Sequence, residues 1–404
     1  MLKYNPFKPG LIIHPGMFAG RLAELEFLEK SLFQTVNGNP AHFLIHGERG
    51  IGKSSLLMVV NAVAKGHIKS INGQQFAFTC VNVELEPKDS YKDVVSKIAR
   101  ELQRELDRSQ SLQKSLKNIW AFLTNWEVMG VKYNRESTPT EAMVEELADK
   151  LAAIGEKLAE EKSGLYIFID EADKPPKEAG LGELIKVLTE RLIKRSAVNV
   201  GIGVIGISSV IKKMRDSHES SVRILTPALL APLLPEERKD VVRRGLDEAE
   251  TKNEFKTTIT DEALQMIATV SEGYPHFIQQ YAYSSFDQDT DDNIDADDVR
   301  NGLLKANGAL DLLGMRYFEN MYTEEIRSDE YRMVLQVIAK HSPEWTTKKQ
   351  LATESKLKPH TLNNAIAALK KRNIIVPRKG HIGQYGLPSR SFAAWILAFK
   401  IVQH

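Results

Sequence analysis

Eight consecutive residues, Gly47-Glu48-Arg49-Gly50-Ile51-Gly52-Lys53-Ser54, constrain the fold of this chain more than any other stretch. The apolar run before them, Ala41-His42-Phe43-Leu44-Ile45, reads as a buried strand, and Ser55-Leu56-Leu57-Met58-Val59-Val60 after them as the first turns of a helix. Strand, glycine-rich loop and helix in that order is the context a phosphate-binding loop (P-loop) requires. Its glycines let backbone N–H groups converge on anionic oxygens, and the positive end of the helix dipole adds to the attraction. In that arrangement residues Gly47 to Ser55 cradle the phosphates, Lys53 reaches the β- and γ-phosphates, and the Ser54 hydroxyl ligates Mg²⁺.

At 404 residues the chain has room for two or three domains, each with its own core. Its apolar runs are shorter than a membrane span and Met1-Leu2-Lys3-Tyr4-Asn5-Pro6 lacks a signal-peptide core, so the expectation is a cytoplasmic protein with no membrane partner. Cys80 is the single cysteine, which excludes an intrachain disulfide and a cysteine-based zinc site. The net charge of +1 hides an asymmetry. Residues 329–404 carry thirteen Lys or Arg against four Asp or Glu, a net of +9, while residues 1–328 carry 41 against 49, a net of −8. That offset points to an acidic partner for the C-terminal piece, with nucleic acid first in line.

Strands alternate with helices through the first half. Phe18-Ala19-Gly20-Arg21 opens a helix with Leu22, Leu25 and Leu28 on one face. Strands are predicted at Phe76–Val83, Leu165–Ile169 and Val198–Ile207, and a short fifth one near Val222–Leu225. A polar helical region fills Ser90 to Glu161, broken near residues 130–140, with Trp120, Phe122 and Trp126 as core or inter-helix contacts. This pattern gives an α/β fold whose parallel sheet is covered on both faces, and ligands of such sheets bind at the carboxyl ends of the strands. The loop at Gly47, the pair Asp170-Glu171 and the pair Ser208-Ser209 all follow strand ends.

The residue types at those ends suit nucleotide hydrolysis. Asp170 is placed to hold Mg²⁺ through water, and Glu171 to polarise the attacking water as general base. Ser208 or Ser209 would sense the γ-phosphate. Charge that develops during phosphoryl transfer calls for an arginine from a neighbouring subunit; Arg223 is the first choice, with Arg215 and Arg195 as rivals.

From Pro235 to Asn307 the pattern is helical. Its acidic tract, from Asp287 to Asp298, resembles the spacing of a calcium-binding EF-hand loop. Asp292 stands where that loop needs glycine and Asp298 where it needs glutamate, so a solvated inter-helix loop is expected. Residues 329–404 read as three helices, Tyr331–His341, Thr347–Ser355 and Pro359–Arg372, closed by a hairpin around Arg378–Gly383. That order describes a winged helix, which would offer His360, Asn363 and Asn364 to a DNA major groove or serve as a protein-interaction module.

On these residues the chain resembles the AAA+ superfamily, in its branch of origin-recognition-like initiators and archaeal-type STAND ATPases. The resemblance rests on Phe18-Ala19-Gly20-Arg21, the P-loop, Ile167-Phe168-Ile169-Asp170-Glu171-Ala172, Leu225–Leu233 with Pro235-Glu236-Glu237, Gly273-Tyr274-Pro275-His276-Phe277-Ile278-Gln279, and Tyr385-Gly386-Leu387-Pro388 followed by Trp395. It implies an AAA+ core over residues 1–232 with a helical insertion at about 100–145, a small all-α lid over 233–328 and a winged helix over 329–404. It further implies ATP bound between core and lid and completed by a homo-oligomer, with Phe18 and Arg21 near the adenine and Ser208 or Ser209 at the first sensor. Where such lids carry an arginine this chain has His276, and a neutral histidine contacts phosphate more weakly than a fixed cation. The function so implied is an ATP-hydrolysing switch that oligomerises with ATP and acts on duplex DNA or a DNA-bound complex. The alternatives are a signalling or defence ATPase that controls a protein partner without binding DNA, and a clamp that binds ATP with almost no turnover.

Overall fold

The computed structural model describes residues 3–12, 17–108, 140–326 and 328–402. Trp120, Phe122 and Trp126, and most of the expected helical insertion, lie outside them. The chain divides into two compact units, one of Arg21–Ala231 and one that joins the residues up to Gly20 with those from Pro232 onward.

The first unit is an α/β layer. Strands β1 (Phe43–Gly47), β2 (Thr79–Glu84), β3 (Leu165–Asp170), β4 (Val200–Gly206) and β5 (Thr226–Leu230) form one sheet in the order β2-β3-β4-β1-β5. Every pairing is parallel. β1, β3 and β4 are buried nearly throughout, which is why they read as unbroken apolar runs rather than as alternating ones. The fifth strand lies later than expected. Ser221–Ile224 is a short helical turn, and the pairing with β1 begins at Phe43 with Thr226. Pro227 suits this position, because an edge strand can forgo one backbone donor.

Helix α1 (Leu22–Val36) buries Leu25, Leu28 and Leu32, whereas Leu22, expected on the same face, is exposed. Helix α2 (Lys53–Ala64) runs from the P-loop. Tyr91–Arg108, Thr140–Glu160 and Leu181–Lys194 are further helices, and they bring Val95, Leu102, Leu147, Leu151 and Leu188 into the core cluster beside β2, β3 and β4.

The second unit is mostly helical. Pro235–Glu250, Asp261–Val270, Pro275–Phe286 and Ala296–Leu304 are its first helices, and a two-residue parallel bridge, Thr258–Ile259 with Asn293–Ile294, interrupts them. The first begins as the sequence suggests: Pro235 occupies an opening position and the Glu237 carboxylate accepts the Leu234 N–H at 2.7 Å. Further on, helices Asp329–His341, Lys348–Ser355 and Pro359–Lys371 are followed by strands Val376–Pro377 and Gln384–Gly386. These strands and Thr346–Thr347 pair antiparallel with Gln384–Gly386 at the centre, which is the winged-helix arrangement.

Two expectations change here. Residues 233–328 and 329–404, expected as separate domains, share one apolar core that runs from Leu246, Ile278 and Tyr281 to Leu335, Leu369 and Trp395. The described residues up to Gly20, expected in the ATPase core, pack instead with this second unit. Phe7 is 2% exposed and sits against Gly245, where an added Cβ would come within 2.3 Å of the Phe7 ring. Lys3 Nζ lies 2.8 Å from Asp289 and 2.7 Å from Asp292. The acidic tract therefore receives a lysine from the start of the chain, and its Asp289 also accepts the N–H groups of Asp291 and Asn293. Among the described residues no group of three or more His, Cys, Asp or Glu is arranged to hold a metal ion, and no helix is long and apolar enough to cross a membrane.

Candidate functional site

β1 delivers the P-loop at its carboxyl end, and Gly52, at φ +96°, caps α2 in a conformation that L side chains rarely adopt. Lys53 follows at the first turn, and its ammonium donates to the carbonyls of Gly47 at 3.2 Å and Glu48 at 2.9 Å. Burial pulls its pKa down, while Asp173, Glu171 and Asp170 push it up. The lysine thus sits half-buried at the hub of the loop, facing three carboxylates.

β3 delivers the acidic turn. The Ser54 hydroxyl donates to Asp170 Oδ2 at 3.4 Å, across 116 residues of chain. This places the two proposed Mg²⁺ ligands together, a hydroxyl and a carboxylate, the hard oxygen pair that Mg²⁺ takes alongside phosphate and water. Burial raises the pKa of Asp170, partly offset by the Glu171 N–H that its Oδ1 accepts at 2.7 Å. Glu171 adopts φ +55°, a left-handed conformation uncommon outside glycine. Its carboxylate is 3.7 Å from Lys174, which also lies 3.4 Å from Glu84.

β4 delivers Ser208, exposed at the start of helix Ser209–Ser217. Its Oγ is 3.3 Å from His46 Nδ1 on β1. Sequence reasoning missed His46, which carries no motif; only the adjacency of β1 and β4, with His46 opposite Gly206, brings it here. It also missed Asp173, whose Oδ1 accepts the Ile207 N–H at 2.8 Å. Lys213 fixes the same turn by donating to the carbonyls of Asp173 and Pro175.

Arg21 is 5% exposed. One guanidinium nitrogen donates to the Ile51 carbonyl at 3.1 Å and another meets Glu24 at 3.1 Å, so Arg21 buttresses the P-loop from behind. Phe18 and His276 belong to the other unit. There His276 lies 3.4 Å from Arg316 Nη1 and packs edge-on to Tyr317. Burial first, then Arg316, lower its pKa to about 4, so the imidazole is neutral at pH 7. Of the three arginines considered for action on a neighbour, Arg195 is engaged, meeting Asp149 at 2.6 Å and Glu145 at 2.5 Å. Arg215 and Arg223 are exposed. Arg49 and Glu48 are exposed in the P-loop itself.

Residues 17–196 match the AAA ATPase domain family. In structure the chain is similar to the ORC2 protein of Aeropyrum pernix, with 99% of this chain and 98% of that one aligned at 14% identity and a TM-score of 0.56. A second structure of that protein aligns over 98% of this chain and 97% of its own at 15% identity and a TM-score of 0.50. In sequence the chain is similar, at 26% identity over 286 residues, to an uncharacterised HTH-type transcriptional regulator of Methanocaldococcus jannaschii. That alignment covers 69% of this chain and 65% of the regulator, so the chain spans just under two thirds of its length. The P-loop, the acidic turn and the sheet order agree with these likenesses: residues 17–196 are similar to the AAA ATPase domain family, and the fold is that of the Aeropyrum pernix ORC2 protein.

Proposed function

We propose that this protein is a molecular switch that binds and slowly hydrolyses ATP with Mg²⁺, assembles with further copies of itself when ATP is bound, and acts on duplex DNA through its winged helix. The observation that carries the reading is the 3.4 Å approach of Ser54 to Asp170, beside Lys53 and next to Glu171. It joins a phosphate grip, a metal-holding pair and a base in one place. The Aeropyrum pernix ORC2 structures are of ADPNP–ADP complexes and of an ADP form, which supports the nucleotide.

In this mechanism the backbone of Gly47–Ser55 and the Lys53 ammonium hold the phosphates. Mg²⁺, held by Ser54 and Asp170, would neutralise charge on the phosphate oxygens. Glu171 takes the proton of the attacking water, and Ser208, supported by His46, marks the presence of the γ-phosphate. Arg223, exposed near the end of the core, is offered to the site of a neighbouring copy.

For DNA the support is the charge of residues 329–404 and the helix Pro359–Lys371, which keeps Leu362, Ala365, Ile366 and Leu369 buried while His360, Asn363 and Asn364 face outward. The name of the Methanocaldococcus relative, an HTH-type transcriptional regulator, agrees with that use. Sizing the protein with and without ATP, and titrating it onto duplex DNA at rising salt, tests the reading. Growth in size with ATP and affinity that falls steeply with salt are expected; a monomer in all conditions with no DNA affinity would favour the effector-controlling alternative.

A further inference from the structure

Ser208 alone would report a γ-phosphate weakly, because one neutral hydroxyl bond discriminates by about tenfold at most. Here it has a partner. Its Oγ lies 3.3 Å from Nδ1 of His46, the residue just before the P-loop. The sheet makes this pair: β1 and β4 are parallel neighbours, His46 stands opposite Gly206, and the chain reaches Ser208 two residues later. The same corner is tied to the acidic turn, since Asp173 accepts the Ile207 N–H and is also among the charges that act on Lys53.

The two side chains govern each other's hydrogens. A neutral imidazole with a bare Nδ1 takes the Ser208 hydroxyl hydrogen, and the serine then turns a lone pair outward. An imidazolium carries a hydrogen on both nitrogens, so Nδ1 donates to Oγ and the hydroxyl hydrogen is free to point to the exposed side. A phosphate oxygen needs that hydrogen. Protonation of His46 and capture of phosphate by Ser208 therefore favour each other, and each bond in such a chain strengthens the next.

The ring starts from the neutral state. Burial alone lowers its pKa. On the β5 side it stands opposite Leu229, which carries no charge. In the P-loop Glu48 and Arg49 are of opposite sign, and Lys53 faces Asp170, Glu171 and Asp173. On the helix after Ser208, Lys212 is exposed and Lys213 donates to the carbonyls of Asp173 and Pro175. None of these charges moves the ring. A γ-phosphate would bring negative charge to Ser208 and draw the pKa upward.

We propose that His46 is the positioning residue that lets Ser208 tell ATP from ADP: the imidazole takes a proton from solvent when a γ-phosphate binds, and the pair then donates to that phosphate as one charged relay. The proposal rests on the nucleotide reading above and deepens it, for it names how the site separates a triphosphate from a diphosphate. Discrimination is then greatest in mild acid and is lost as the pH rises through neutrality.

The test is calorimetry of the full chain with Mg²⁺ and either ADP or a non-hydrolysable ATP analogue, in two pH 7 buffers of different ionisation heat. The buffer dependence counts protons taken up. With the analogue, wild type should take up roughly half a proton more than His46→Gln, as suits a histidine titrating near neutrality. With ADP the two should agree. Glutamine still hydrogen-bonds Ser208 but does not titrate, so a purely structural role for His46 would leave the counts equal. Ser208→Ala breaks the relay at an exposed side chain and should also lose the extra uptake; it carries the test should His46→Gln fail to fold. The preference of wild type for the analogue over ADP should fall roughly fivefold to tenfold between pH 6 and 8. Equal uptake in wild type and variants, with nucleotide bound, overturns the relay and leaves the P-loop reading standing. A wild type that binds neither nucleotide overturns both.

Discussion

The Asp173 carboxylate accepts the backbone N–H of Ile207 at 2.8 Å, and so ties the turn that carries Glu171 to the strand end that carries Ser208. The proposed base and the proposed phosphate sensor come from different strands, and this bond keeps them in register. Asp173→Ala should leave ATP affinity within about twofold and lower turnover about tenfold, the loss expected when one charge-assisted hydrogen bond goes. Nucleotide titration beside steady-state hydrolysis checks this; a fall in melting temperature with turnover intact would reduce Asp173 to a structural support.

Lys53 spends its ammonium on the Gly47 and Glu48 carbonyls and stands opposite Asp170, Glu171 and Asp173. Lys53→Ala should weaken ATP binding roughly 100-fold. Normal affinity in a fluorescent-nucleotide titration would overturn the assignment of the P-loop. Glu171→Gln, by contrast, should keep ATP and lower hydrolysis by about 10²- to 10⁴-fold.

The three arginines separate by environment. Arg195 holds Asp149 and Glu145 at the surface, so Arg195→Ala should cost about 0–1 kcal/mol of stability and leave turnover unchanged. Arg223→Ala should do the opposite, with intact stability and ATP binding but loss of the rise in specific activity as protein concentration increases. Chemical denaturation and a concentration series of turnover tell them apart. Identical behaviour of the two variants removes Arg223 from its role.

Two histidines contribute to the response to acid. His42 and His276 have pKa values lowered to about 4, both chiefly by burial, from an unfolded value of 6.5. The folded state therefore binds fewer protons than the unfolded one below 6.5. Their stabilising effect is complete above pH 6.5 and is lost as the pH falls through about 4. The melting temperature should be level near neutrality and drop between pH 6.5 and 4. His42→Gln, whose side chain can still accept the Ile202 N–H that Nδ1 accepts at 3.1 Å, should shrink that drop.

Gly245 exists to admit Phe7. Gly245→Ala should destabilise the protein by about 1–3 kcal/mol through overpacking. Phe7→Leu, which removes the facing ring edge, should recover part of the loss in the double variant, as thermal unfolding of all four combinations would show.

What could be read in the sequence follows the range of the forces involved. The P-loop, β3 with Asp170, and β4 are local signals: an apolar run, a turn and a charge at fixed spacing. Each lies where it was expected. β5 was displaced because Val222 and Leu225 look like strand residues, yet the chain first makes a helical turn and pairs with β1 only from Thr226. Asp173 and His46 were missed because their meaning depends on strand adjacency, which periodicity does not encode. Arg21, expected near the adenine, donates to the Ile51 carbonyl and meets Glu24, contacts that periodicity does not encode. The acidic tract invited a cation and met one, the Lys3 ammonium from the far end of the chain.

That arrangement of Lys3 and Phe7 has a consequence for how the protein is made. The opening segment belongs to a unit whose remaining residues begin at Pro232, so the whole α/β core is an insertion within it. On the ribosome the core can close as soon as it emerges, whereas Phe7 must wait for Gly245 and Lys3 for Asp289. At about 5–20 residues per second that wait lasts more than ten seconds. Throughout it an apolar ring and an unpaired cation trail from the nascent chain, open to chaperones, to proteases, and to the matching helix of another copy.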